Sequence, residues 1–415
     1  MDLTTVVLAV ATVTGFYMAW NIGANDVANA MGTSVGSGAL TIRGAILVAA
    51  VFEFGGALLV GGTVTETIRK GIVDLEAFGP EPLVLAIGMT CCLLAAALWL
   101  NIASYMAWPV STTHSIVGAV AGFGIVAGGF DAVQWGTMGK IVASWVVSPV
   151  MGAVLGFVVF TFVRNRILYA DRPLLALRGW GPFMLFPIFA ILALSVIFKG
   201  LKPLRLDLPL SQALPLALAV GALASLASVP VLRRLARRAR RDESSEHLRR
   251  AEQVFLVLQI ATACFVAFAH GSNDVANAVG PMAAVFGAVR DGATDEVAVP
   301  LNVLLIGGVG IVIGLATYGY KVMSTVGREI TELTPSRGFS AEFAAATTIV
   351  LASKLGLPVS TTHTLVGSVI GVGLARSIGA INLQVVRGIV ASWFITVPFT
   401  AGLAAGLFLL ARLLT

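Results

Sequence analysis

Charge is what this sequence has least of. Lys, Arg, Asp and Glu make up 12% of its 415 residues, about half the share found in soluble domains. So few charges cannot cover a water-facing surface, and a soluble globular fold is excluded. Cysteine is sparse as well. Cys91 and Cys92 are neighbours in one apolar run and Cys264 lies in another, which excludes a disulfide framework and any metal-type ligand spacing. The net charge of +6 sits mostly in polar loops, where Arg and Lys report membrane topology. It gives no argument for nucleic acid.

What the chain has instead is apolar length. Hydrophobic residues make up 57% of it. Runs of roughly 20 residues, enough to cross a hydrocarbon core of about 30 Å, recur from end to end. The composition defines an all-α integral membrane protein in a lipid bilayer. The opening run, MDLTTVVLAVATVTGFYMAW, has neither a basic leading region nor a small-residue cleavage site. It reads as a first membrane helix and not as a removed signal peptide. The 45 glycines permit close packing and breaks in such helices.

One polar stretch occurs twice. Residues 23–32 read GANDVANAMG and residues 271–280 read GSNDVANAVG; they differ only at Ala24/Ser272 and Met31/Val279. PVSTTH at 109–114 returns at 358–363, and IVASW at 141–145 returns at 389–393. Three ordered matches at nearly one offset make the chain a tandem duplication that keeps polar residues inside apolar surroundings.

Apolar segments are expected at 4–22, 44–65 (with Glu53 mid-span), 83–100, a broken or re-entrant pair over 102–128, and 138–163. Two segments near 182–198 and 213–232 have no counterpart. Residues 233–253, with eight arginines, read as a solvated amphipathic loop helix. The second copy is expected to run through 254–279, 300–325, 340–356, 357–375 and 385–411. The chain therefore divides into a first repeat (1–163), two linking helices (164–232), an Arg-rich loop (233–250) and a second repeat (251–415). About twelve transmembrane elements result. The positive-inside rule puts the Arg-rich loop in the cytoplasm, with Arg164, Arg166, Arg172, Arg178, Lys321, Arg328 and Arg337 on its side. Fewer basic residues (Arg69, Lys70, Lys199, Lys202, Arg205, Arg290) face the other way. Seven segments before the loop and five after it then place both termini outside. The two copies would have opposite orientation, the inverted-topology repeat of many secondary transporters.

The motifs carry chemistry. Pro109 and Pro358 lack an N–H and disfavour helix in the preceding residue, so extended chain is expected through Trp108 and Leu357. Ser111 and Ser360 can then cap new helices whose first turns hold Thr112, Thr113, Thr361 and Thr362. Hydroxyls, free first-turn amides and the positive end of a helix dipole make an anion site. Two inverted copies would face each other and suit a compact oxyanion. In NDVANA, Asn25 and Asn29 share a helix face with Asp26 beside them, and Asn273, Asp274 and Asn277 repeat the set. A carboxylate inside a membrane marks function, and carboxylate with amide oxygens suits a hard cation such as Na⁺ or a proton. Gly23 and Gly271 would allow local unwinding that frees carbonyls for the cation.

Glu53 and Glu342 break the symmetry. Leu93 stands opposite Glu342, and the apolar stretch Leu301 to Ile306 opposite Glu53; each acid could serve one cation or proton. His114 and His363 read as hydrogen-bonded structural residues. His270, where the first copy has Ile22, either tunes the site or packs a helix. Lys354, opposite Tyr105, attracts anions or snorkels. Thr63, Thr65 and Glu66 read as a helix end.

On these residues the chain resembles the inorganic phosphate transporter (PiT) family of cation–phosphate symporters. Both NDVANA stretches, both PVSTTH stretches, Glu53 in VFEFGGALLVGG, His270, and Glu342 in GFSAEFAAATTIVLASKLGLPVSTTH carry the resemblance, which spans roughly 21–160 and 250–405. It implies a phosphate site between inverted halves, held by Ser111, Thr112, Thr113, Ser360, Thr361 and Thr362. It implies cation coupling by Asp26 and Asp274, with Glu53 and Glu342 important for transport. The short central loop resembles prokaryotic members. The family also includes sulfate permeases.

The reading that results is a secondary transporter importing inorganic phosphate with Na⁺, needing no cofactor beyond the coupling ion. Na⁺ would lie near Asp26 and Asp274, with Asn25, Asn29, Asn273, Asn277, Glu53 and Glu342 in support. A proton-coupled phosphate, metal-phosphate or sulfate permease is the alternative. A channel is disfavoured by internal duplication. An enzyme is disfavoured because the site offers neither an arginine nor a metal clamp for a phosphoryl group. The glycine-rich helices would permit a homodimer.

Overall fold

The computed structural model describes residues 3–78, 82–106, 108, 110–197, 208–241, 247–291, 299–319, 333–377 and 383–414. Pro109, Lys199, Lys202, Arg205, Lys321 and Arg328 lie outside the described residues, as do the ends of the segments expected at 182–198 and 300–325. The side chain of Arg290 is likewise not described.

The described chain is helical, with no strand among the described residues. In order the helices are α1 (Leu3–Gly36), α2 (Ile42–Val60), α3 (Gly62–Lys70), α4 (Pro82–Tyr105), α5 (Thr112–Gly128), α6 (Trp135–Val163), α7 (Pro173–Ser195) and α8 (Leu210–Arg241). They continue as α9 (His247–Asp291), α10 (Leu301–Thr317), α11 (Pro335–Lys354), α12 (Thr361–Arg376) and α13 (Leu383–Leu414). Among the described residues eight helices are long and apolar enough to cross a membrane; α5 and α10 are apolar but shorter. At ~1.5 Å per residue, α9 is roughly 65 Å long, about twice a hydrocarbon core, and α1 is roughly 50 Å.

Two expectations fail here. The segment expected at 44–65 is two helices, separated at Gly61. Thr63, Thr65 and Glu66 do not end a helix; they belong to α3. There Glu66 pairs with Arg69 at 3.6 Å and Lys70 at 3.8 Å, which gives the polar turn its own partners.

The duplication is visible as reciprocal packing. α1 packs on α10 while its counterpart α9 packs on α2; α5 packs on α13 while α12 packs on α6. Glycines set these approaches. A Cβ on Gly23 would run into the Ile311 backbone and one on Gly271 into the Glu53 backbone. Likewise Gly56 meets the Phe268 carbonyl and Gly314 the Trp20 carbonyl, and Gly118 and Gly367 lie against Val397 and Pro149. This is a correction. Gly23 and Gly271 do not unwind anything: α1 and α9 run through them unbroken. Their missing side chains let two backbones touch. The contacts also pair Glu53 with Ile311, so that residue, and not the stretch Leu301 to Ile306, is its structural counterpart.

The buried apolar residues form two clusters. α1 contributes Val7 to Ile22 to one and Val27 to Met31 to the other. α9 passes through them in reverse order: Val254 to Ala269 join the second cluster and Val275 to Ala288 the first. The NDVANA motifs fall at the seam, and α1 and α9 cross it in opposite directions.

Candidate functional site

The site is assembled at that seam from six helices. The extended chain before α5 and α12 ends as expected. Ser111 (φ −89°, ψ 122°) and Ser360 (φ −81°, ψ 113°) are N-caps, and each Oγ accepts from the amide three residues on, His114 and His363, at 3.2 Å. One amide in each first turn is thereby satisfied; those of Thr112, Thr113, Thr361 and Thr362 come before any intrahelical partner. The two first turns meet: the rings of His114 and His363 lie 4.4 Å apart, edge to face. Both histidines are buried residues of the packing between the two turns. Each imidazole packs on the tryptophan of its own repeat's IVASW, His114 on Trp145 at 3.8 Å and His363 on Trp393 at 3.5 Å.

Each asparagine of NDVANA does a distinct job. The first reaches its own repeat: Asn25 Nδ2 donates to the Val110 carbonyl at 3.4 Å and Asn273 Nδ2 to the Val359 carbonyl at 2.8 Å. The second reaches the other repeat: Asn29 donates to Thr362 Oγ1 at 2.7 Å, and Asn277 to Thr112 and Thr113 Oγ1 at 3.2 Å each. Both also hold the aspartate between them. Asp26 Oδ1 accepts from Asn25 (3.0 Å) and Asn29 (3.1 Å), and Asp274 Oδ1 from Asn273 and Asn277 (3.1 Å each). Thr112 and Thr113 approach Asp274 Oδ1 at 3.5 Å. The expected cation motif and the expected anion motif thus form one cluster. The i, i+4 spacing that puts both asparagines on one face is what brings them together.

The second oxygens, Asp26 Oδ2 and Asp274 Oδ2, carry no hydrogen bond. They converge on His270 Nε2, at 3.8 Å and 3.1 Å. His270 Nδ1 faces Glu53 Oε1 at 3.3 Å. Asp26, Asp274, Glu53 and His270 are all at most 1% exposed.

Glu342, also fully buried, sits apart. Its Oε1 accepts from Thr33 and Ser34 at 2.5 Å and from Gln259 Nε2 at 3.2 Å; its Oε2 accepts from Thr262 at 2.6 Å. Sequence reasoning did not single out Thr33, Ser34, Gln259 or Thr262. A signal existed: Gln259 and Thr262 are one turn apart in an apolar helix, and Thr33–Ser34 fall one turn beyond Asn29. Lys354 closes α11, half-buried, and Tyr105 closes α4, exposed. The buried basic side chains among the described residues amount to Arg69, which pairs with Glu66. Among the described residues the site holds no arginine or lysine.

Paired broken helices, opposed carboxylates and a polar cluster sealed between two apolar cores define a membrane transporter. Comparison with known proteins gives the family. The model of the Phosphate transporter family matches residues 22–404, and the chain belongs to that family. It is 45% identical to the chloroplastic inorganic phosphate transporter 2-1 of Arabidopsis thaliana, over 97% of this chain and 72% of that protein. It is 46% identical to a putative phosphate permease of Pyrococcus furiosus, over 97% of this chain and 95% of the other. A solved structure described as the sodium-dependent phosphate transporter superposes with a TM-score of 0.92 at 42% identity, covering 99% of this chain and 100% of that one.

Proposed function

We propose that the protein imports inorganic phosphate by symport with Na⁺. The observation that carries this is the meeting of two capped half-helix N-termini, α5 and α12, against Asp26 and Asp274. Thr112, Thr113, Thr361, Thr362 and the first-turn amides above Ser111 and Ser360 hold the anion. They do so as uncharged donors at the positive ends of helix dipoles. Phosphate brings one to two negative charges into a seam that already contains Asp26, Asp274 and Glu53, with no lysine or arginine among its described residues to offset them. Cations must therefore accompany the anion, and each reduces the other's desolvation cost. The Oδ2 atoms of Asp26 and Asp274, with Asn25, Asn29, Asn273 and Asn277, take Na⁺ beside the phosphate. Glu342 with its two threonines, serine and glutamine offers an oxygen-rich cage for a further cation. The superposable transporter described as sodium-dependent supports the choice of Na⁺.

The reading includes an inverted repeat of about twelve membrane elements, supported by the reciprocal packing and by the opposite passage of α1 and α9 through the two cores. It also puts both termini outside. α8 runs unbroken from its apolar span into exposed Arg233, Arg234 and Arg237, and positive charge belongs on the cytoplasmic side.

Equilibrium dialysis of labelled phosphate against the purified protein tests it. Na⁺ should tighten phosphate binding where K⁺ does not, and excess sulfate should leave binding intact. Phosphate binding indifferent to Na⁺ would favour proton coupling, and displacement by sulfate would overturn the substrate.

A further inference from the structure

α7 and α8 have no counterpart in the duplication, and neither contributes a residue to the seam. They form an antiparallel pair. Gly221 of α8 lies against Phe186 and Ala190, Ser225 Oγ donates to the Pro182 carbonyl at 2.8 Å, and Gly181 meets Leu232. That register sets the first turns of α7 beside the last turns of α8. Leu232 and Ala236 are buried, and Arg233, Arg234 and Arg237, on the opposite helix face, are exposed. Arg172 and Arg178 at the start of α7 are exposed too, as is Arg249 in the first turn of α9, which packs on both helices. Leu177, Leu232 and Val254 belong to one buried cluster and tie the three helix ends together.

Among the described residues none of these six arginines is ion-paired. Other charged groups nearby are engaged. Arg164 donates to the Ala375 carbonyl and, through Nε, to Asn165 Oδ1 at 3.0 Å. Glu252 accepts from the amide and the hydroxyl of Ser336 at 2.8 and 2.7 Å. In sequence, 238–246 adds Arg238, Arg240 and Arg241 against Asp242, Glu243 and Glu246, which leaves the positive excess standing. Next along the pair the surface becomes aromatic and apolar. Trp180 and Phe183 lie 5.8 Å apart and are 37% and 60% exposed. Leu223 and Leu226 of α8 are each 67% exposed. Exposed tryptophan between arginines and an apolar face marks the level of lipid headgroups. A soluble anion would use only the charged half of this surface. An amphiphile with an anionic head uses both.

We propose that the arginines at the joined ends of α7 and α8, with Arg249, form a docking surface for the phosphate of anionic phospholipids, whose acyl chains lie along Phe183, Leu223 and Leu226. Guanidinium forks match phosphate oxygens in a bidentate way. The orientation proposed above supplies the leaflet, since anionic lipid concentrates on the cytoplasmic side. Bound lipid holds the unmatched pair against the first turns of α9, the helix that carries Asn273 and Asp274.

Native mass spectrometry of the purified full-length chain tests this, with phosphatidylglycerol and phosphatidylcholine of the same acyl chains titrated separately. Each arginine near an anionic headgroup strengthens binding by about fivefold. Phosphatidylglycerol should therefore bind roughly a hundredfold more tightly than phosphatidylcholine, about fivefold for each of three arginines. The triple change Arg233→Gln, Arg234→Gln, Arg237→Gln should erase that preference. Arg43→Gln, which alters an exposed arginine of α2, should keep it. Because the triple variant could fail to fold, the unaltered protein is also photo-crosslinked with phosphatidylglycerol carrying a diazirine near its headgroup. Adducts should map to peptides covering 170–183 and 226–250. Equal affinity for the two lipids overturns the proposal, as does a preference retained by the folded triple variant. Adducts spread evenly over the apolar faces of α6 and α13 overturn it too. Displacement of the lipid by millimolar inorganic phosphate would make the occupant a soluble anion and not a lipid, which also overturns it. Neither readout depends on transport.

Discussion

Asn29 of the first repeat donates to Thr362 of the second across 2.7 Å, and Asn277 returns the gesture to Thr112 and Thr113 at 3.2 Å. The cation motif of each half is thus tied to the anion motif of the other. A double-mutant cycle on Asn29→Ala and Thr362→Val reads this tie. Interhelical hydrogen bonds in membranes average about 0.6 kcal/mol. We expect a coupling of that order in thermal stability, and a larger one in the dependence of phosphate binding on Na⁺. Additive effects in both readouts would show that the contact is incidental.

The serine caps give a second prediction. Loss of an N-cap costs about 1 kcal/mol of helix stability and also loosens the first-turn amides. The double change Ser360→Ala, Thr361→Val should raise the phosphate Kd by roughly tenfold, one 1.4 kcal/mol step. An unaltered phosphate Kd would remove the PVSTTH assignment.

Close backbone approach makes a third. Gly271→Ala would drive a Cβ into the Glu53 backbone, and Gly23→Ala one into Ile311. Overpacking of this kind costs about 1–3 kcal/mol, which should lower the melting temperature measurably in detergent. Gly55→Ala meets nothing within 4 Å and serves as the tolerated comparison. Equal melting temperatures for all three would contradict the packing described.

A fourth concerns Glu342. The amide of Glu342→Gln keeps the volume but presents an N–H to an array of donors from Thr33, Ser34, Gln259 and Thr262. Hydrogen bonds to a charged group contribute about 1.5–3 kcal/mol each. The Na⁺ concentration for half-maximal uptake should rise by roughly tenfold, while phosphate affinity at saturating Na⁺ changes little. A shift in phosphate affinity alone, with Na⁺ dependence intact, would place Glu342 in the anion site instead.

Much of the site is legible in the sequence because the informative residues stand in pairs. NDVANA and PVSTTH occur twice in apolar surroundings, so residue spacing alone reveals their helix face, the Ser caps and the broken segments. Their mutual contact is not legible, because hydrogen bonds such as Asn29 to Thr362 join residues more than 300 positions apart. The cage around Glu342 is hidden for another reason: Thr33, Ser34, Gln259 and Thr262 are single polar residues without a repeated motif. The unwinding role expected of Gly23 and Gly271 fails because a glycine beside a polar motif is compatible with unwinding and with close packing alike. Only the positions of Ile311 and Glu53 distinguish the two. The counterpart expected for Glu53 is wrong because an offset taken from α1 does not carry through to α10.

Uptake of labelled phosphate into proteoliposomes tests the central claim most directly. An imposed Na⁺ gradient at fixed pH should drive accumulation that saturates, ignores excess sulfate and is lost in Asp26→Asn and Asp274→Asn. Accumulation driven by a proton gradient in the absence of Na⁺, or transport of sulfate in place of phosphate, would contradict it.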